Sequence, residues 1–493
     1  MKKELKLLLI MLIMGMVGIG LSSCKRGKKK AKTTVAKVGR KVSATARVSF
    51  EKLVVSPTHK YAWIIYKIGK DWFVERKPDG KKFGPFNGYA VLKSRGYVVM
   101  SKKVKKTQRR PTLIKIVPTV LFVEDKVIDI PTTPKDINVT KEGNFWFRYR
   151  DKEGYHLIIN GKEFRPVVKS AISFAVSENG ASWGCVGHEF LKKEWFAIVN
   201  GKEYLRHKSS IQPSNIAFSK DGSKWWWVIF KKGKLYLVEN GKLSKISVKT
   251  KTLTSSLSKL NLYVSDNGNN KLLVISEGAV FMSKGELWVN GKSHGIWNDI
   301  EGVVTKDNIW GAVLVKRGRP KSKYYVIING KLHGPYSFVD YEKFTVSEDG
   351  TLWGFVYKKD KKNYVVINGK EYGPFDRVGW IATGGSPMKW AFNYINYDKA
   401  TKTATFGLYV DGDEILKDSY NYKFSWLVSP GKVFITDEGR VGCVFKTEDN
   451  SIFYVNGKKV RPNGFRNEGY GVLMGKFICA YSTREGSTGF EEY

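Results

Sequence analysis

An Asn-Gly or Asp-Gly pair returns about every 40 residues through most of this chain. Its glycine stands at Gly161, Gly201, Gly241, Gly291, Gly330, Gly369, Gly412 and Gly457, with steps of 40, 40, 50, 39, 39, 43 and 45 residues. Such pairs supply the positive φ angles of a type I′ hairpin turn. A second turn recurs in phase upstream, as Thr140-Lys-Glu-Gly143, Ser177-Glu-Asn-Gly180, Ser219-Lys-Asp-Gly222, Ser265-Asp-Asn-Gly268, Ser347-Glu-Asp-Gly350 and Thr436-Asp-Glu-Gly439. In four copies a Trp sits six residues after the Ser or Thr, at Trp146, Trp183, Trp225 and Trp353. A period of this length belongs to repeat architectures and outranks any single-residue reading.

The unit is clearest from Val346 to Phe375. Trp353 to Tyr357 and Tyr364 to Ile367 are short runs of aromatic and β-branched residues, which read as strands. Several such runs do not alternate with polar residues. Trp225-Trp226-Trp227-Val228-Ile229-Phe230 is apolar on both faces, so its sheet must be covered on both sides. Blades of a β-propeller are packed in that way, each against the next. A unit of this length holds four short antiparallel strands with their turns. The expected fold is therefore all-β, a propeller of about 8–10 repeats. Eight copies are regular, over 136–493. Two diverged copies precede them in 51–135, at Asp79-Gly80 and at Glu124-Asp125-Lys126. Two smaller propellers are the alternative. Lys102 to Arg110 reads as an exposed basic insertion.

The first fifty residues are different. Lys2, Lys3 and Lys6 precede an uncharged, mostly apolar run, Leu7 to Leu21. At 15 residues it is shorter than the ~20 a spanning helix needs and fits a signal-peptide core. Leu21-Ser22-Ser23-Cys24 comes next, and this resembles the lipobox of bacterial lipoproteins. The resemblance implies that 1–23 is removed, that Cys24 carries lipid, and that 24–50 is a tether. The tether holds ten Lys and Arg residues before the first acid, Glu51. Such charge beside an apolar segment favours the cytoplasmic side and so acts against export of the downstream chain.

The turn-and-strand segment Phe218-Ser-Lys-Asp-Gly-Ser-Lys-Trp225 resembles the FSPDG repeat of TolB-type, WD-repeat-like propellers, and Val55-Ser56-Pro57 is similar. The resemblance implies a propeller with a binding or scaffolding role in the cell envelope. The Asn-Gly-Lys half of the unit is not part of that signature, so TolB's partners are not carried over.

Little in the chain points to catalysis. His188-Glu189 lacks the second histidine of a zinc helix, and no phosphate loop ending in Gly-Lys-Ser/Thr occurs. The Gly180-Ala-Ser-Trp-Gly184 match to Gly-x-Ser-x-Gly spans a repeat turn and the strand run after it, not the strand-to-helix elbow that motif requires. His294 and His333 occupy the slot two places after Asn-Gly-Lys that Tyr372 fills in the next unit, so they read as structural. Asp411-Gly-Asp-Glu414 and Asp266-Asn-Gly-Asn-Asn270 are too short for a full calcium loop. Cys185, Cys443 and Cys479 read as buried core residues. The recurring Trp positions read as packing between blades. Trp297, Trp380 and Trp426 break that pattern and are the candidates for a sugar-binding platform.

A net charge of +40 raises polyanions as partners. The expected function is non-catalytic binding or scaffolding by a lipid-anchored envelope protein facing the periplasm or exterior. It would need no cofactor or metal, and nucleic acid is not an expected partner. A glycan-active hydrolase or lyase and a polyanion-binding surface protein are the alternatives. The sequence assigns no ligand-binding residue.

Overall fold

The computed structural model describes residues 48–493 except 87, 91–96, 102–118, 131–133, 152–153, 166–170, 210, 247–256, 278–283, 319–320, 449–450, 461–465 and 483–487. The lipobox residues Leu21, Ser22, Ser23 and Cys24, the tether up to Arg47 and the basic insertion 102–110 lie outside the described residues. Among the described residues eleven sheets succeed one another along the chain, ten of four antiparallel strands and the last of three. They form one propeller ring, so the all-β reading holds and the two-ring alternative does not.

We call the sheets blades 1 to 11 and their strands first to fourth. Blade 1 runs from 48 to 86, and its first strand, Val48–Val55, starts three residues before the boundary set at 51. Phe50 is buried there. Blade 2 spans 88–130, and blades 3 to 10 hold the eight Asn-Gly or Asp-Gly turns. Blade 11 is one more than the sequence count. Its strands, Arg466–Leu473, Lys476–Ser482 and Thr488–Glu492, have no Asn-Gly turn, and their first hairpin is Met474-Gly475.

The repeated residues each perform one task. In blade 8 the Ser347 hydroxyl accepts the N–H of Leu352 at 2.9 Å and donates to Asp349 at 2.6 Å, tying the first turn. The same pair of bonds recurs at Ser177, Ser219 and Ser265. Asn368 sits at φ 47°, in the left-handed region, and its Oδ1 accepts the N–H of Trp353 at 2.9 Å. The turn between the third and fourth strands is thereby fastened to the start of the second. Asn160, Asn200, Asn240, Asn290, Asn329 and Asn456 make the same bond, and Asp411 makes it to Trp390.

This predicts an ordered substitution series. Asn368→Ala loses the acceptor and a side chain suited to the left-handed region, and should cost about 1–2 kcal/mol. Asn368→Asp keeps both, as Asp411 does, and should cost less than half as much. Equal denaturation midpoints for all three proteins would mean that the bond contributes nothing.

Blades join through aromatic pairs built from two repeat slots. The residue two places after Asn-Gly-Lys packs on the aromatic that opens the second strand of the next blade. Phe164 meets Trp183 with ring centres 5.7 Å apart, and Tyr204 meets Trp225 at 5.0 Å. His294 meets Trp310 at 4.9 Å, His333 meets Trp353 at 5.4 Å and Tyr372 meets Trp390 at 5.3 Å. The structural reading of both histidines and of the recurring tryptophans is thus borne out. Cys185, Cys443 and Cys479 are buried and in no disulfide, as expected, and burial pushes the Cys185 thiol up to about 12.

Candidate functional site

First strands of neighbouring blades lie beside one another around the channel, while fourth strands form the outer edge. The described first turns meet at one end, which we call the mouth. Asn179 donates its backbone N–H to Lys220 O, and Lys220 donates to Asp266 O at 2.8 Å. Ser386 donates to Asp437 O, and Met474 of blade 11 donates to His59 O of blade 1, across the ring closure.

The second place of the first turn carries alternating charge in six consecutive blades: Lys141, Glu178, Lys220, Asp266, Lys306 and Glu348. These six line a cavity of about 530 Å³ at the mouth. They are joined by ion pairs. Lys220 Nζ lies 2.9 Å from Glu142 and 3.8 Å from Glu178. Lys306 lies 3.0 Å from Asp266. Lys141 of blade 3 pairs with Glu348 of blade 8 and closes the cavity from the far side. Desolvation raises the Glu178 carboxyl, and the Lys220 ammonium opposes that rise. The alternation could have been read from the sequence once the turns were aligned, because each charged residue stands directly after the turn Ser or Thr.

Deeper in the channel the first strands bulge. Pairing with the second strand slips in nine blades, among them at Phe50/Lys52, Glu301/Val303, Asp340/Thr345, Val378/Ile381 and Pro430/Val433. A bulge kinks its strand and re-aims the side chains at that place. Tyr341, on blade 8, is 43 % exposed and Trp380, on blade 9, is 49 % exposed. A Cβ on Gly379, next to Trp380, would lie 3.0 Å from Gly431 O of blade 10 and 1.9 Å from Asn393 Oδ1, so only glycine fits this close approach. Lys432 is the next residue after Gly431. Its ammonium is held below the usual lysine range by desolvation, then by repulsion from Lys52 and Lys446. The wall from blade 8 to blade 1 is therefore aromatic and cationic. Periodicity could not have shown this, since the bulges interrupt it.

The three candidate tryptophans separate. Trp297 is half-buried, donates to His294 O at 3.2 Å and packs on Tyr325 at 5.4 Å, so it is structural. Trp380 faces the channel. Trp426 is 68 % exposed on a short 3-10 turn, Ser425–Leu427, between blades 9 and 10. The acidic turns do turn work. Asp411 fastens a hairpin, Asp266 pairs with Lys306, and Asn267 accepts from Ser265 at 2.8 Å. Among the described residues no group of three or more His, Cys, Asp or Glu side chains is placed to hold a metal ion.

No protein-family model and no curated protein matches the chain. Solved structures do. TolB from Acinetobacter baumannii is 12% identical over 55% of this chain and 76% of its own, with a TM-score of 0.25. The propeller domain of the Trilobed protease from Pyrococcus furiosus is 11% identical over 66% and 97%, with a TM-score of 0.31. The Dos1 propeller is 10% identical over 66% and 93%, with a TM-score of 0.30. The likeness is to propeller architecture and extends to nothing finer.

Proposed function

We propose that this chain is a non-catalytic binding protein of the bacterial cell envelope, anchored by lipid on Cys24, that receives its partner at the mouth and channel of the ring. The observation that carries the non-catalytic part is the pairing of Glu142, Glu178, Asp266 and Glu348, each with a lysine of another blade. A hydrolase working on a glycan needs one carboxyl group free to give a proton and a second free to act as base or nucleophile. Here the acids nearest the opening are engaged in holding blades together. The anchored part rests on the lipobox resemblance. Exposed Trp380 and Tyr341 beside Lys432 favour an anionic ligand in the channel as a second reading.

Two experiments address anchor and activity in turn. Cells producing the wild-type chain should incorporate labelled fatty acid, whereas Cys24→Ala should give an unlabelled, unprocessed precursor. Purified protein incubated with an acidic polysaccharide should leave its length unchanged. Labelling of the Cys24→Ala chain would overturn the anchor. Depolymerisation that disappears in Glu178→Gln would overturn the non-catalytic reading.

A further inference from the structure

The topology fixes the end at which residues 1–47 join the ring. In every blade the first strand ends at the mouth, where the Ser/Thr turns meet. Each first strand therefore begins at the opposite end, and so Val48 enters there. Among the described residues, that end also carries hairpins between second and third strands and connections between blades. Lys362, on the hairpin of blade 8, pairs with Asp376 of the connection to blade 9 at 2.6 Å, which places both features together.

Two loops at this end hold large apolar side chains out in solvent. Phe190 and Leu191, on the hairpin of blade 4, are 79 % and 95 % exposed. Phe424, Trp426 and Leu427, on the connection between blades 9 and 10, are 55 %, 68 % and 36 % exposed. Such exposure gains nothing for the fold, since burying these groups would stabilise it. Both loops are flanked by lysine, Lys192 and Lys193 in the first and Lys423 in the second. Lys192 is paired with Glu189. The neighbouring tips Lys232-Gly233-Lys234 and Lys358-Lys359-Asp360-Lys361 are exposed and mostly cationic. Lysine also rings the mouth end, at the Asn-Gly-Lys turns, so charge alone does not choose between the two ends. The entry of the basic tether and the two apolar loops do.

We propose that the hairpin end is a docking face for an anionic bilayer. Phe190-Leu191 and Phe424-Trp426-Leu427 enter the interfacial region, and the tip lysines meet lipid phosphates. Aromatic side chains favour the headgroup level because their rings are apolar and their polar atoms reach water. Lysine attraction to an anionic leaflet is weak per residue and falls off within about 8 Å at physiological salt. Several tip lysines acting together with the inserted apolar side chains hold the protein at low salt, and on a chain already held at the surface the same contact strengthens because it is then intramolecular. The loops stand on blades 4 and 9–10, and the tether enters at blade 1, so three separate places on the ring would touch the membrane. The mouth would then point away from the bilayer, open to its partner. This orientation rests on the anchored reading above. The docking itself does not, and its test uses a chain without lipid.

The test uses residues 24–493 with Cys24→Ser, which retains every described residue, and with the ten tether cations changed to Gln. This protein should bind vesicles of phosphatidylglycerol and phosphatidylcholine at low salt, release near half-molar salt, and leave pure phosphatidylcholine unbound. The combined variant Phe190→Ser, Leu191→Ser and Trp426→Ser should bind at least about tenfold less and melt with its parent, since all three side chains are exposed. A dye on Lys193→Cys should be quenched by headgroup-labelled lipid, and a dye on Lys331→Cys at the mouth end should not. The native cysteines are buried and leave the label specific. Equal binding by the loop variant, equal binding to neutral vesicles, or quenching at position 331 instead of 193 would overturn the proposal. Docking without fatty-acid labelling of Cys24 in cells would remove the anchor and keep the face.

Discussion

Trp227→Ala is expected to destabilise the ring by about 3–5 kcal/mol, the usual cost of truncating a large buried aromatic. Trp227 is fully buried between blades 4 and 5. Its indole N–H donates to Ser214 O at 3.2 Å, and its ring meets His207 with centres 5.7 Å apart. Alanine would leave a cavity lined by Val186, Trp195 and Ile216, and would orphan a buried carbonyl. The strands on either side are fixed by their own ladders, so the space has little freedom to collapse. Trp426→Ala is the matched control, since Trp426 is 68 % exposed and surface changes usually stay within about 0.5 kcal/mol. Denaturant unfolding monitored by strand circular dichroism gives both values. If Trp227→Ala unfolds with the wild type, packing between blades is not what holds the ring.

That contrast bears on what the sequence could disclose. Trp227 and Trp426 are the same residue type, and periodicity separates them. Trp227 lies in a run whose two faces are both apolar, whereas Trp426 falls outside the repeat. The same logic made one side of the inter-blade pairs legible, because His294, His333 and Tyr372 share one slot, but Trp310 and Trp390 do not stand six residues after a turn Ser or Thr as Trp353 does, so the pairing itself needed the ring. Burial in those slots is uneven. Trp183 is 7 % exposed while Trp353 is only half-buried, and the partner's size does not set this, since Trp310 also packs on a histidine and is 8 % exposed.

The channel was not legible. Its character comes from bulges that place Tyr341, Trp380 and Lys432 on the inner wall, and a bulge is a slip in pairing that a single strand's sequence does not encode. Gly302, Gly379 and Gly431 mark three of the bulges, but a lone glycine in a strand also marks other close approaches. The mouth lay between these cases. Its charges are set by the repeat, at a fixed place after the turn Ser or Thr. What they do depends on the next blade, which only the ring brings within reach.

The eleventh blade was missed for a related reason, and it predicts the largest effect. Deleting 466–493 should abolish the cooperative fold. Blade 11 is the wedge between the two ends of the described ring. One face packs Leu473, Ile478 and Ala480 on Phe50, Leu53, Ile64 and Tyr66 of blade 1. The other packs Val472 and Phe477 on Val444, Phe453 and Val455 of blade 10. Among the described residues no strand of blade 1 is shared with the last sheet, and closure there uses side-chain packing and bonds such as Met474 N–H to His59 O. Each large apolar side chain returned to water loses roughly 1.5–3 kcal/mol. Uncovering the faces of blades 1 and 10 together would cost on the order of 10 kcal/mol, comparable to the whole stability of a typical domain. The truncated chain should bind a hydrophobic dye, run as aggregates on size exclusion, and lose its sharp thermal transition. Ile478→Ala tests the same joint gently and should cost about 2–5 kcal/mol, with the protein still monomeric. A truncated chain that stays monomeric and melts with the wild type would show that blades 1 and 10 close without the wedge, and the ring would then have to be redrawn with ten blades.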